Sequence, residues 1–390
     1  MPIRVTGHYR TTSTVGEAVK AFVPDPLPPD PPLQLDGKLT SALLQASVAL
    51  GRLDVVSSFL PDKSLFLYHY IRKEAVLSSQ IEGTQSSFED LILYENDAVP
   101  SVPIEDVSEV SCYVAALEHG MARIKSGFPL SLRLIQEMHG VLLSSGRGSH
   151  KKPGEFRTSQ NWIGGSRPGV ARHVPPPPEE LMNCMGALEK FLHNDPVVTP
   201  PLIKAGMAHV QFETIHPFLD GNGRIGRLLI PLIFCVEGIL SEPILYVSLF
   251  FKQNREAYYD HLQAVRTDGD WEGWLGFYLE AVRTSAEDSI TRSKALLEVI
   301  NRDRTKIEQV PRKAGSMLRV YQIFTRRVAG SVNRVREETG LHFDTIQASL
   351  RQFEKMGIVR EVTGKQRDRV WVWEEGLRIL EGQKNENRSS

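Results

Sequence analysis

Between residues 36 and 300 the apolar side chains return every three or four positions, and one stretch, 154–178, breaks that rhythm. Leu43, Ala46, Leu50 and Leu53 open the series, and Tyr68, Ile71 and Ala75 continue it. A period near 3.6 lines such residues along one helix face, so the pattern predicts helices at 105–125, 131–143, 178–192, 200–212, 224–239, 254–266 and 271–300. Stripes of this kind are buried by packing helix on helix, which makes the fold mainly α. The exception contains Trp162, Ile163, Gly164, Gly165, Gly169, Val170 and Val174, then four prolines. It predicts two short strands joined by a glycine turn, a β-hairpin flap on the helical body.

Both ends depart from the rhythm. Residues 1–35 are Pro-rich, with Pro-Asp-Pro-Leu-Pro-Pro-Asp-Pro-Pro at 24–32, and are expected as an extended arm rather than a packed element. Past Pro311 and Gly315, helical spacing at 317–328, 332–339 and 343–355 gives way to strand-like runs at 358–362 and 369–373 around Gly364. Three helices and a two-stranded wing are the order of a small winged-helix (α+β) domain, with Gly340 at its tight turn and Gln347, Arg351 and Lys355 on the third helix. The expected divisions are an arm at 1–35, an N-terminal helical region at 36–110, a central body at 111–300, the winged module at 311–380 and a disordered tail at 381–390.

Composition sets limits on function. The 390 residues carry 46 Lys and Arg against 47 Asp and Glu and are 41% hydrophobic, as in ordinary globular proteins. The longest apolar run, 228–236, is well short of the ~20 residues that cross a bilayer, so no membrane association is expected. The N-terminus lacks the apolar stretch of a secretory signal, and Cys112, Cys184 and Cys235 have neither paired nor metal-ligating spacing; the chain reads as cytoplasmic. From residue 301 onward 19 Lys and Arg stand against 12 Asp and Glu, an excess that suits a polyanion.

The chemistry concentrates in His216-Pro-Phe-Leu-Asp-Gly-Asn-Gly-Arg-Ile-Gly-Arg227, between one apolar helix and the next. Gly221 and Gly223 let successive backbone N–H groups curve into a nest at the positive end of the following helix, where anionic oxygens bind. Arg224 and Arg227, three apart on its first turn, reach different phosphates of a polyphosphate. Asp220 is placed to hold Mg²⁺ between them, and His216 to take a proton from an incoming hydroxyl. Together these residues specify phosphoryl or nucleotidyl transfer.

The same segment matches the signature His-Pro-Phe-x-(Asp/Glu)-Gly-Asn-Gly-Arg-x-x-Arg at every position and so resembles the Fic family, with the likeness running over roughly 33–300. The resemblance implies a Fic-type helical bundle that transfers AMP from ATP to a Tyr, Thr or Ser hydroxyl of a protein, itself included, with Mg²⁺ as cofactor. It implies His216 as general base, Asp220 as metal ligand, Gly221, Asn222, Gly223 and Gly226 around the anion hole, Arg224 on the inner phosphates and Arg227 on the γ-phosphate. Ile163 and Val174 would clamp the target by backbone pairing, and Asn254, with Tyr258 and Tyr259, would lie on the adenine side. A homodimer is expected, with Leu43 to Leu53 as one surface for it.

Ser78-Ser-Gln-Ile-Glu-Gly83 also matches the family's inhibitory pattern, (Ser/Thr)-x-x-x-Glu-(Gly/Asn). Glu82 would pair with Arg227 and place negative charge where a phosphate belongs; a Glu before Gly also commonly ends a helix. Other readings stay open: a different nucleotide donor, removal of AMP by the same site, or an ATP-sensing regulator whose winged helix binds DNA or a protein. Gly223 argues against the branch of the family that binds ATP in reverse, because a side chain there would crowd the α-phosphate.

Overall fold

Caps and prolines set where the predicted helices begin. The computed structural model describes residues 4–58, 63–96 and 98–382. Two strands, β1 (Gly7–Thr14) and β2 (Glu17–Pro24), precede α1 (Gly37–Ser58), α2 (Lys63–Ile81), α3 (Phe88–Glu95), α4 (Ile104–Lys125), α5 (Leu132–Leu142), α6 (Pro178–Leu192), α7 (Pro201–Ile215), α8 (Asn222–Val236), α9 (Ser248–Gln253), α10 (Arg255–Asp268) and α11 (Trp271–Glu308). Ser87 caps α3 in a capping box with Asp90, Ser131 caps α5 and Asp270 caps α11, while α6 and α7 start on proline, whose missing N–H is no loss there.

The core is the α7–α8 pair. Every residue of α7 from Leu202 to Ile215 is buried, and α8 is buried from Arg224 to Phe234. Helices apolar on all sides belong in the middle of a bundle. α2, α4, α5, α6, α10 and α11 pack around them, and α1 lies along α11. The loop between α7 and α8 therefore emerges at one end of the core, supported from several sides.

The C-terminal module follows as α12 (Ala314–Arg327), β3 (Ala329–Ser331), α13 (Val332–Thr339), α14 (Phe343–Lys355), β4 (Val359–Glu361), β5 (Val370–Trp373) and α15 (Glu374–Glu381). Its antiparallel sheet has the order β3-β5-β4. The buried Asp303 of α11 accepts from the indole of Trp373 at 3.2 Å and the hydroxyl of Tyr321 at 3.3 Å, tying this module to the body.

Several expectations need correction. The N-terminal arm is packed: β1 and β2 pair from Gly7↔Pro24 to Thr14↔Glu17, with Val15 and Gly16 at positive φ in a two-residue turn. Val19 and Ala21 point inward, an alternation hidden in the sequence by the prolines that follow, and Arg4 is clamped to Glu272 by two 2.9 Å bonds. The flap is a single antiparallel bridge, Ile163↔His173, not two strands, because a 3₁₀ turn at Pro168–Val170 and the prolines from 175 leave few donors for a ladder. The boundary expected at 110 falls inside α4, and β3, α9 and α15 were not expected; the long helix α11 ends at Glu308, just before the break expected at Pro311.

The tail expected over 381–390 lies, beyond Gly382, outside the described residues. Residues Gly37–Val56 of α1 form one helix long and apolar enough to cross a membrane, which a search for uninterrupted apolar runs passes over because Thr and Ser punctuate it. In this fold its Ala46, Ala49, Leu50 and Leu53 are buried.

Replacing Arg4 by Ala leaves the partly buried Glu272 without its cation and removes its two charge-assisted hydrogen bonds, an expected cost of about 1–3 kcal/mol. Urea unfolding of the variant is expected to show that loss, with faster proteolysis in the residues joining β2 to α1.

Candidate active site

α7 ends where His216 turns left-handed (φ 48°, ψ 62°), its N–H still donating to Phe212 O at 2.9 Å. Gly221 (φ 76°) is the second left-handed residue and opens α8. Between them the loop is fixed from behind. Arg157, 2% exposed, donates through Nε to His216 O at 2.9 Å and through Nη2 to Ile215 O at 3.3 Å, and Asn161 donates to Phe218 O at 3.1 Å. The His139 ring stacks on Phe218 with centroids 3.6 Å apart. Its Nδ1 accepts from Gly154 N–H at 2.9 Å, so its proton is on Nε2, which donates to Asp220 O at 3.0 Å.

His216 faces a cavity of about 110 Å³ lined by Glu82, Ile163, Glu213, Gly223, Arg227 and Tyr259 among others. Burial, reinforced by Arg157 and Arg266, pushes its imidazole down to about 3, so the ring is neutral and able to accept a proton. Arg227 is 1% exposed. Its Nε donates to Ser78 Oγ at 2.9 Å, and its Nη2 to Ser78 O at 3.0 Å and to Glu82 Oε1 at 2.7 Å. Burial alone would raise the Glu82 carboxyl, but the Arg227 guanidinium outweighs it and holds Glu82 below its usual range.

Glu82 stands directly over the start of α8. A Cβ on Gly223 would come within 2.2 Å of its Oε1, so the missing side chain is the space this carboxylate fills. The cavity that remains is smaller than the ~300–1,000 Å³ of typical small-molecule sites. Arg224, also buried, is held behind the loop by Glu109 at 2.6 Å and Asp220 at 3.2 Å.

Comparison with known proteins now bears on this geometry. The Fic/DOC family N-terminal domain matches residues 40–122 and the Fic/DOC family domain matches residues 129–234. Residues 40–122 and 129–234 thus carry the two domains of the Fic family. A relative described as "Protein adenylyltransferase Fic" from Aedes aegypti is 31% identical over 260 residues, 65% of this chain and 48% of that protein. One from Culex quinquefasciatus is 31% identical over 212 residues, 53% of this chain and 39% of that protein. The chain thus spans about half the length, or less, of these curated relatives. A Fic family protein from Desulfovibrio desulfuricans G20 shares the fold at a TM-score of 0.56 and 19% identity, over 88% of this chain and 97% of that one. Fic-1 from C. elegans aligns at a TM-score of 0.50 and 25% identity, over 67% and 74%.

Set against the Fic signature, the structure brings His216, Gly223, Arg227, Ser78 and Glu82 together and relocates three other residues. The Asn222 side chain is turned away from any anion: Oδ1 accepts from Phe218 N and Nδ2 donates to Phe218 O, both at 2.8 Å, so it clips the loop shut. Asn254 stands between α9 and α10 and donates to Phe250 O at 3.0 Å, away from the cavity; Tyr258 and Tyr259 both line the cavity, and Tyr258 is also bonded to His209 at 2.8 Å. Val174 is packed with Val19 and Ala21, and its carbonyl accepts from Phe22 N–H at 2.8 Å, so the N-terminal hairpin lies against that side of the flap. Ile163 remains on the cavity wall.

Glu109, His139, Arg157 and Asn161 were missed because they come from α4, α5 and the loop after α5, far from the motif in sequence, whereas Glu213 lies three residues before His216, a spacing that could have marked it. Asp220 fits Mg²⁺: its side chain is 36% exposed, its Oδ1 accepts from Gly221 N at 2.5 Å, and a lone carboxylate suits an ion that keeps water and substrate phosphates as its other ligands. Among the described residues no cluster of three or more His, Cys, Asp or Glu would hold a metal unaided.

Asn222→Ala removes both clips of the loop and leaves a buried N–H and C=O with one partner fewer. Chemical denaturation is expected to show a loss of about 2 kcal/mol.

Proposed function

We propose that this chain transfers AMP from ATP to a protein hydroxyl and that the resting enzyme is held off by Glu82. The observation that carries the reading is the neutral His216 imidazole beside the N-terminal end of α8, with the buried Arg227 guanidinium one turn further on. In the reaction the target oxygen attacks the α-phosphorus in line, the bond from that phosphorus to the pyrophosphate oxygen breaks, and His216 takes the hydroxyl proton. The N–H groups at the start of α8 oppose the charge that develops on the phosphoryl oxygens. Mg²⁺, when bound through Asp220, supplies charge neutralisation between the phosphates.

Glu82 blocks this chemistry in two ways. It takes the guanidinium that the terminal phosphate needs, and its carboxylate stands above Gly223, where a phosphate would have to pass. Two anions do not share one site, so ATP must displace it or bind unproductively. Ile163, on the cavity wall, supports a clamp for an extended target, which would accept varied sequences by main-chain pairing.

The C-terminal module supports a second, separate activity. We read it as a winged helix-turn-helix whose groove of about 490 Å³, lined by Gln347, Arg351, Arg367 and Arg369 among others, takes a duplex backbone. Full-length protein is expected to shift a DNA duplex at low salt, more weakly in Arg351→Ala and with affinity falling as salt rises. No shift at low salt would sink this reading.

For the transferase, wild type, Glu82→Gly and His216→Ala are incubated with Mg²⁺ and α-labelled ATP and followed by intact mass. Glu82→Gly is expected to gain AMP several-fold faster than wild type, and His216→Ala to lose at least ~100-fold. Equal labelling of all three would refute both the base and the brake.

A further inference from the structure

Glu213 lies on α7 one turn before His216, is 7% exposed, and has no part in the reaction described above. Its position is unusual for a carboxylate. Oε1 is buried without a hydrogen-bond partner, and so is Nδ1 of His216; Oε2 of the one is 3.9 Å from Nδ1 of the other. Gly226 makes room for the group, since a Cβ there would meet Oε1 at 2.4 Å. Both side chains line the cavity beneath Glu82.

A buried carboxylate is retained at a cost unless something uses it. The groups around this one are Arg227 from α8, Tyr258 and Arg266 from α10, Glu82 after α2, and His216 on its own helix. Arg227 is committed to Ser78 and Glu82, and Arg266 donates to Thr214 Oγ1 at 3.1 Å. Among the described residues, His216 Nδ1 is the ionisable nitrogen within 4 Å of its carboxylate, and it is itself without a hydrogen-bond partner. Hydrogen bonds of catalytic groups are commonly long in the resting state and shorten when the site is engaged.

We propose that Glu213 is the positioning residue of His216: with Glu82 displaced, a small rotation closes the 3.9 Å gap into an Nδ1–H···Oε2 hydrogen bond. The bond fixes the tautomer that leaves Nε2 bare toward the substrate hydroxyl, and it shares the charge of the imidazolium once the proton arrives. No atom is transferred to Glu213; the proton that leaves the hydroxyl stays on Nε2, and Nδ1 keeps its own. This inference rests on the reading of His216 as the base.

The pH dependence follows. Burial, opposed by Arg227, raises the Glu213 carboxyl to about 7. The carboxylate accepts from Nδ1–H far more strongly than the protonated acid and alone offsets the imidazolium charge, so the function is present above that value and is lost as pH falls through it.

The test uses full-length Glu82→Gly as parent and adds Glu213→Gln or Glu213→Asp. The Gln variant is expected to lose kcat by roughly 10- to 100-fold, with KM for ATP within about twofold and melting unchanged or raised. The parent rate is expected to climb with pH through a midpoint below that of Glu213 in the wild type, because the Glu82 charge that helps to raise the carboxyl is gone, the Gln variant to be flat over the same range, and the Asp variant to recover part of both rate and slope. A Gln variant with parental kcat and slope overturns the proposal. So does a loss that appears in KM and melting temperature instead, which would make Glu213 a structural counterion of Arg227. Nitrogen chemical shifts of His216 in histidine-labelled protein decide the matter without any turnover: the parent is expected as the Nδ1–H tautomer and the Gln variant as a mixture. A parent lacking Nδ1–H overturns the proposal even if AMP is transferred, whereas the expected tautomers without AMP transfer would fault the transferase reading alone.

Discussion

A guanidinium sealed inside an apolar bundle needs negative charge, and the arrangement of the active end of this protein follows from how Arg227 gets it. α8 is buried along nearly its whole length, so Arg227 has no route to solvent. Ser78 supplies a hydroxyl and a carbonyl, and Glu82 supplies the charge. The same requirement that would draw a phosphate to this point draws the Glu82 carboxylate. If the site takes ATP as proposed, carboxylate and phosphate would compete for one cation, and the competition would be sharpened because a low-dielectric site penalises leaving the cation alone.

The His216–Arg227 segment was legible in the sequence because its chemistry is local. Gly221, Gly223, Arg224 and Arg227 sit within seven residues, and helix geometry alone puts them at one helix start. The helices were legible for a similar reason: a repeat of three and four is written in the side chains. What escaped was long-range. Glu109 reaches Arg224 across 115 positions and Arg157 reaches His216 across 59, and neither has a neighbour that signals the contact. The flap shows the opposite error. Glycines and β-branched residues suggested a ladder, but the prolines withheld the donors that a ladder needs, and Val174 was claimed by the N-terminal hairpin.

That hairpin changes what the flap can do. β2 pairs with Val174 on one side while Glu17 receives Gly169 N–H at 3.0 Å and an ion pair from Arg167 at 3.0 Å. The flap is thereby backed along its His173–Val174 side. A strand that docked by main-chain pairing would have to use the Ile163 side, nearer the cavity. An arm that composition presents as loose proline-rich chain thus narrows the geometry of the site.

The brake helix is pinned more firmly than the brake itself. α2 packs on α4 and α9 on one side and on α12 of the C-terminal module on the other. Arg72 on α2 is bound to Glu95 at 2.9 Å and stacked on Tyr68, and Arg334 of α13 donates to Glu95 O at 2.6 Å. Moving α2 as a body would break its packing on α4, α9 and α12 and the Arg72–Glu95 pair. Glu82 lies just past the last residue of the helix, followed by Gly83 at φ +97°, and its side chain is 34% exposed where that of Arg227 is 1%. Release by rotation of one side chain costs far less than release by displacement of a helix. In the proposed autoinhibition the moving part is therefore the carboxylate at the end of α2, and the helix is the fixed frame that aims it.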